Sequence, residues 1–89
     1  MHEMSVAMEV CRIAEDNVGL AALARVREIG VIVGDDSGVE PESLRFCLET
    51  LLASPPFEGA HAALELTPGD DLRVSYLEVD DDRPTNRLP

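Results

Sequence analysis

An α/β two-layer sandwich of order αβαββ, with two helices packed on a three-stranded mixed sheet, is what this sequence predicts. Apolar residues recur at helical spacing in two stretches, one early and one in the middle of the 89 residues. Three further stretches alternate apolar and polar residues, as half-buried strands do. Turn-forming clusters lie between these segments: Asp35-Asp36-Ser37-Gly38, Pro55-Pro56 and Pro68-Gly69-Asp70.

The first helix is expected from Ser5 to about Leu20. Met4, Ala7, Met8, Cys11, Ala14 and Val18 form its apolar stripe, and Val6, Val10 and Ile13 add a second flank. Glu9, Arg12, Glu15 and Asp16 fill the other side. The Ser5 hydroxyl suits an N-cap, because it can accept from the unpaired amides of the first turn. Gly19 can end the helix, or Leu20-Ala21-Ala22-Leu23 can carry it one turn further; both endings fit the pattern.

Arg25 to Gly34 reads as the first strand, with Ile29, Val31 and Val33 on one face and Val26 and Ile32 on the other. Apolar residues on both faces indicate a strand covered on more than one side. Pro41 fits the first position of a second helix, with Glu42 in its dipole-favoured first turn. Leu44, Cys47, Leu48 and Leu51 form the stripe, Phe46 and Leu52 flank it, and Pro55-Pro56 stops the helix at Ser54. His61 to Thr67 is a second strand with Ala62, Leu64 and Leu66 inward, and Leu72 to Val79 is a third. Joined through the second helix, the first two strands should be parallel. The short Pro68-Gly69-Asp70 join predicts an antiparallel hairpin of the second and third strands. Residues 1–79 then form one domain, and 80–89 a flexible acidic tail.

Composition narrows the function. Seven basic and eighteen acidic residues give a net charge of −11. Such a chain is repelled by phosphate backbones and anionic lipid, so neither nucleic acid nor membrane is an expected partner. A divalent cation or a basic protein surface is compatible with it. With no Trp and few aromatics, the core should be built from Leu, Val, Ile, Ala and Met. No basic, apolar leader is visible and the two cysteines look unpaired, which points to the cytoplasm. Cys11 and Cys47 fall on helix stripes, where a thiol packs as a small hydrophobe. His61 has no spaced partner, and Asp80-Asp81-Asp82 with Glu78 reads as a solvated cluster. No nucleophile and base stand at related spacings, so the chain is not expected to be an enzyme.

One motif carries chemistry. The chain opens Met1-His2-Glu3-Met4-Ser5. The Met1 α-amine, the His2 main-chain nitrogen and the His2 imidazole can close two fused chelate rings around one metal ion. A nitrogen-rich, near-planar set suits Ni(II) or Cu(II) better than tetrahedral Zn(II). The bulk of His2 disfavours removal of Met1. The amine must lose a proton to bind, and free α-amines titrate at roughly pH 7.7–8, so affinity should rise with pH.

The opening Met1-His2-Glu3-Met4-Ser5-Val6-Ala7 resembles the start of the HypA/HybF family, the nickel metallochaperones of [NiFe]-hydrogenase maturation. Gly34-Asp35-Asp36-Ser37-Gly38-Val39-Glu40-Pro41-Glu42-Ser43-Leu44-Arg45-Phe46 is similar to the family's G-E-x-S-G-V-x-P-E-x-L-x-F stretch, at the family's spacing from the first block. The likeness continues through Glu58-Gly59-Ala60 and from Asp71 to Val79. It implies that Met1, His2 and Glu3 hold Ni(II) transiently. It also implies a hydrogenase maturation GTPase and the [NiFe]-hydrogenase large-subunit precursor as partners. Glu40 sits where some relatives place an acidic residue near the metal; a carboxylate ligand and a helix-start residue are both open to it.

One departure is large. Family members usually carry a zinc-binding segment with two C-x-x-C pairs between their last two strands, whereas Leu66-Thr67 here runs through Pro68-Gly69-Asp70 straight into Asp71-Leu72. Two cysteines in no C-x-x-C arrangement cannot supply a four-thiolate site, so no structural zinc is expected. The departure keeps a second function open: an adaptor that uses the same α/β domain for protein contact without carrying metal.

Overall fold

The computed structural model describes residues 2–80. It has the expected architecture: α1 (Glu3–Val18), a single 3-10 stretch (Leu20–Arg25), β1 (Val26–Gly34), α2 (Pro41–Leu52), β2 (His61–Thr67) and β3 (Leu72–Val79). The two α-helices pack on one three-stranded mixed sheet.

α1 begins earlier than the serine signal suggests. His2 is its N-cap, and the first helical bond runs from the Val6 N–H to the His2 carbonyl at 3.2 Å. Ser5 therefore lies inside the first turn and caps nothing. The helix ends at Gly19, whose φ of 86° is open to glycine at little cost, and whose N–H donates to Glu15. Leu20-Ala21-Ala22-Leu23 turns into the 3-10 stretch instead of prolonging α1.

The buried line of α1 is Ala7, Val10 and Ala14. Two alanines at the centre of the contact let the helix approach the layer beneath closely. The line runs between the two apolar flanks of the sequence, so Val6 and Cys11 pack partly and Met4 and Met8 stay exposed. α2 inserts Leu44, Leu48 and Leu52, with Cys47 and Leu51 half-buried beside them, while Phe46 points outward. It stops at Leu52, with Ala53 as C-cap. Met4 and Met8 are exposed and stay out of the core; Val39, Phe57 and Ala60, from the loops around α2, enter it.

Sheet order departs from expectation. β1 is central, parallel to β2 on one side and antiparallel to β3 on the other, in the order β2-β1-β3. The hairpin of β2 and β3 does not form. The chain leaves β2 at Thr67, passes over the end of β1 and descends on its far side. Four hydrogen bonds hold this crossing. Gly34 N–H donates to Asp71 O at 2.6 Å, Asp35 N–H to Thr67 O at 2.8 Å and Asp36 N–H to Gly69 O at 2.7 Å. Gly69 N–H donates to the Asp35 carboxylate at 3.0 Å.

The physical reason lies in β1. Val26, Ile29, Val31 and Val33 are all essentially buried, and a strand that apolar gains most by pairing along both edges. Gly34 makes the crossing possible: a Cβ there would stand 2.2 Å from the Gly69 carbonyl oxygen and 2.7 Å from the Asp71 nitrogen. Leu66, expected inward, lies at the far end of outer strand β2 and is exposed. On the sheet face away from the helices the Tyr76 ring covers Gly30, and its hydroxyl donates to Glu28. Asp80, expected to open the tail, is tied back by its N–H to Arg25 O and by an ion pair with Arg27, both at 2.7 Å. The rest of the tail lies outside the described residues.

Gly34→Ala should destabilise the protein by about 1–3 kcal/mol, because the new methyl meets backbone that must move. Gly30→Ala should be milder, since the ring it meets can swing aside. Urea unfolding of both variants checks this; equal losses would refute the distinction.

Candidate metal centre

α1 and α2 both run opposite to β1, so their first turns meet at the same end of the molecule. There the fold brings together two acidic residues that the sequence separates by 37 positions. The Glu40 N–H donates to Glu3 Oε2 at 2.9 Å. Glu40 in turn is the N-cap of α2, its Oε1 accepting from the Ser43 N–H at 2.8 Å. Glu3 and Glu40 each take an amide proton from the opening of α2, where the helix dipole favours negative charge.

The electrostatics follow from these bonds. The Glu40 N–H, then Glu3's own amide, hold the Glu3 carboxyl below its ordinary value of 4.5, helped by the chain's terminal amine and by His2. The Ser43 N–H does the same for Glu40, against a small opposing push from the Glu3 charge. Both groups are solvent-facing, so water screens these effects.

His2 is exposed, and its side chain makes no capping bond. The main-chain nitrogens of His2 and Glu3 precede the first bond of the helical ladder, so α1 requires neither proton. A metal could displace either one without opening a turn. Met1 lies outside the described residues. Among the described residues no group of three or more His, Cys, Asp or Glu side chains converges as a metal site. Any centre at this end therefore depends on main-chain nitrogens as much as on side chains.

The remaining singled-out residues stand apart. Cys11 and Cys47 are half-buried free thiols on their helices, and burial pushes the Cys11 thiol up, away from the thiolate that metals need. His61 is exposed at the start of β2, and Glu78 is exposed on β3. The sequence reading missed the bond between Glu3 and Glu40. Its one local signal was an acidic residue immediately before Pro41, which marks Glu40 as a cap but not what its amide would hold.

Residues 1–72 match the family described as hydrogenase/urease nickel incorporation, metallochaperone, hypA. The chain belongs to the HypA family. A hydrogenase maturation factor HypA of Geobacter sp. (strain M21) is 42% identical over 69 residues, covering 78% of this chain and 60% of that protein. That of Chlorobaculum parvum is 38% identical over 65 residues, covering 73% of this chain and 58% of the relative. The chain thus spans about 60% of the length of these HypA relatives. A third relative, HypA of Azotobacter chroococcum mcd 1, is 35% identical over 113 aligned positions that take in 90% of this chain and all of the relative. It carries residues for which this chain has no counterpart.

Glu3 and Glu40 release their protons more readily folded than unfolded. Their stabilisation is therefore present above about pH 4.5 and is lost as pH falls through their lowered folded values. Glu3→Gln should be less stable than the parent chain at neutral pH, and the difference should shrink in acid. Urea midpoints across that range test this; a gap that stays constant with pH would rule it out.

Proposed function

We propose that this domain carries Ni(II) as cargo for [NiFe]-hydrogenase maturation, holding the ion at its N-terminus and surrendering it by ligand exchange. The donors are the Met1 α-amine, the His2 main-chain nitrogen and imidazole, and a main-chain or carboxylate group of Glu3. The observation that carries this reading is the placement of His2. It lies at the open start of α1, with its imidazole uncommitted and its amide outside the helical ladder. The family match, which includes these residues, supports the choice of metal.

A near-planar nitrogen set satisfies the geometric preference of Ni(II). An exposed terminal site also exchanges readily, because no side-chain packing must be broken to release the ion. Glu3 can contribute its main-chain nitrogen while its Oε2 stays on the Glu40 amide. Glu40 is the outermost member of the set: its carboxylate joins the metal only by turning from Ser43, which weakens the cap of α2. The reading includes a maturation GTPase as source or regulator, the hydrogenase large-subunit precursor as acceptor, a cytoplasmic setting, no structural zinc and no catalysis by the chain itself. Residues 1–79 act as the carrier domain in this reading and 80–89 as an acidic tail. No helix among the described residues is long and apolar enough to cross a membrane.

Titration of the chain bearing an unextended N-terminus with Ni(II), followed by calorimetry and near-UV/visible absorption, tests the proposal. Binding with a planar-nitrogen spectrum is expected, strengthening as pH rises through roughly 7.7–8, where a free α-amine loses its proton. His2→Ala should abolish it while leaving the fold intact by circular dichroism. Absence of binding, or binding unchanged in the variant, would sink the carrier reading and leave a domain used for protein contact.

A further inference from the structure

The two outer strands of the sheet are not alike. The edge strand β2 receives a bond from outside the sheet, where Arg45 Nη1 donates to the Ala62 carbonyl at 3.3 Å. β3 is an eight-residue edge, and among the described residues no side chain reaches its main chain from outside. Such an edge is a ready template for another strand.

Two details of β3 bear on what that strand is. The first is a break in register. Gly30 faces Tyr76 but Val31 faces Val74, so Ser75 is an extra residue and the alternation reverses there. Leu72 and Val74 before the break, and Leu77 after it, pack on the helix side. Arg73, Tyr76 and Glu78 face the other way, opposite Ile32, Gly30 and Glu28. The second detail is charge. Glu78 sits directly across from Glu28, a like-charge pair that is unfavourable as it stands. Arg73, on the same face and nearer the other end of the strand, is bonded among the described residues only to nearby Asp71, at 2.9 Å.

From this pattern we infer that β3 pairs antiparallel with β3 of a second copy of the chain, about a two-fold axis between Ser75 and Tyr76. Leu72-Arg73-Val74-Ser75-Tyr76-Leu77-Glu78-Val79 is complementary to its own reverse in that register. Leu72 meets Val79, Arg73 meets Glu78, Val74 meets Leu77 and Ser75 meets Tyr76, each pair occurring twice. In an unbroken strand this register would set side chains from opposite faces against each other. The extra residue at Ser75 removes the mismatch, so apolar partners meet on the helix side and charged partners on the open side. A bulge commonly blunts an edge; here it brings the faces into agreement.

The pairing also answers two features of the single chain. Each Arg73 lies beside the Glu78 of the other copy and offsets its repulsion with Glu28. A groove of about 300 Å³ beside β3, lined by Ile13, Asn17, Val74, Ser75, Tyr76 and Leu77, is where the opposing Val74 and Leu77 would lie. The product is a six-stranded sheet with the helices of both copies on one face.

Sedimentation velocity of the full chain over a concentration series, with chelator present so that metal plays no part, tests this. A monomer–dimer equilibrium is expected. Arg73→Glu and Glu78→Arg should each raise the dimer dissociation constant about tenfold or more, and the double variant should recover most of the loss. Circular dichroism and melting verify that each variant folds; if loss of the Asp71 contact unfolds Arg73→Glu, Glu78→Arg is read alone. A parent chain that stays monomeric, a folded Glu78→Arg that dimerises unchanged, or a folded double variant no better than either single would overturn the inference.

Discussion

Gly34 has no side chain, and the link between β2 and β3 uses that space to pass over the end of β1. Much of the architecture depends on this close approach. It puts β3 on the far side of β1, which makes β1 the one strand with neighbours on both edges. The fully buried Val26, Ile29, Val31 and Val33 thereby occupy the middle of the sheet, where both helices can cover them. Because α1 and α2 lie on the same side and run opposite to β1, their opening turns are brought to the end where the crossing occurs. The meeting of Glu3 with the start of α2 follows from that topology.

Element identity was legible in the sequence because it is a local property. Pro41 marks the start of α2, Gly19 the end of α1, and the β-branched run from Val26 to Val33 can hardly be anything but a strand. Strand partnership is not local. Alternation in His61–Thr67 and Leu72–Val79 says that each has an inner face, but it carries no information about the neighbour. A short turn-rich link fits a hairpin as well as a crossing. The clue that separates them was Gly34 itself, a glycine closing an apolar strand, which marks a place where another backbone comes close.

The same distinction explains the core. Helical periodicity located two apolar flanks on α1 but not the line between them, and Ala7 and Ala14 took the centre because small residues allow close packing. Met4 and Met8 were left outside for that reason. Phe57 entered from a loop, where periodicity has nothing to say. At the candidate centre, His2, Glu3 and Glu40 were each recognisable, and Glu40's role as the cap of α2 was one of the two roles the sequence allowed. The contact between Glu3 and the Glu40 amide was not, since it is made by tertiary packing of two helix starts rather than by any motif.

That contact has a consequence for how a cargo ion and a binding partner could communicate. A ligand that drew the Glu3 carboxylate away would strip the Glu40 amide of its acceptor, loosening the opening turn of α2. By thermodynamic reciprocity, a partner that fastened that turn would weaken, by the same factor, the hold on any ion bound through the Glu3 carboxylate. A protein docking against the start of α2 would not need to touch the metal to loosen it. The clasp would act as a coupling between cargo retention and partner engagement, built from a single hydrogen bond.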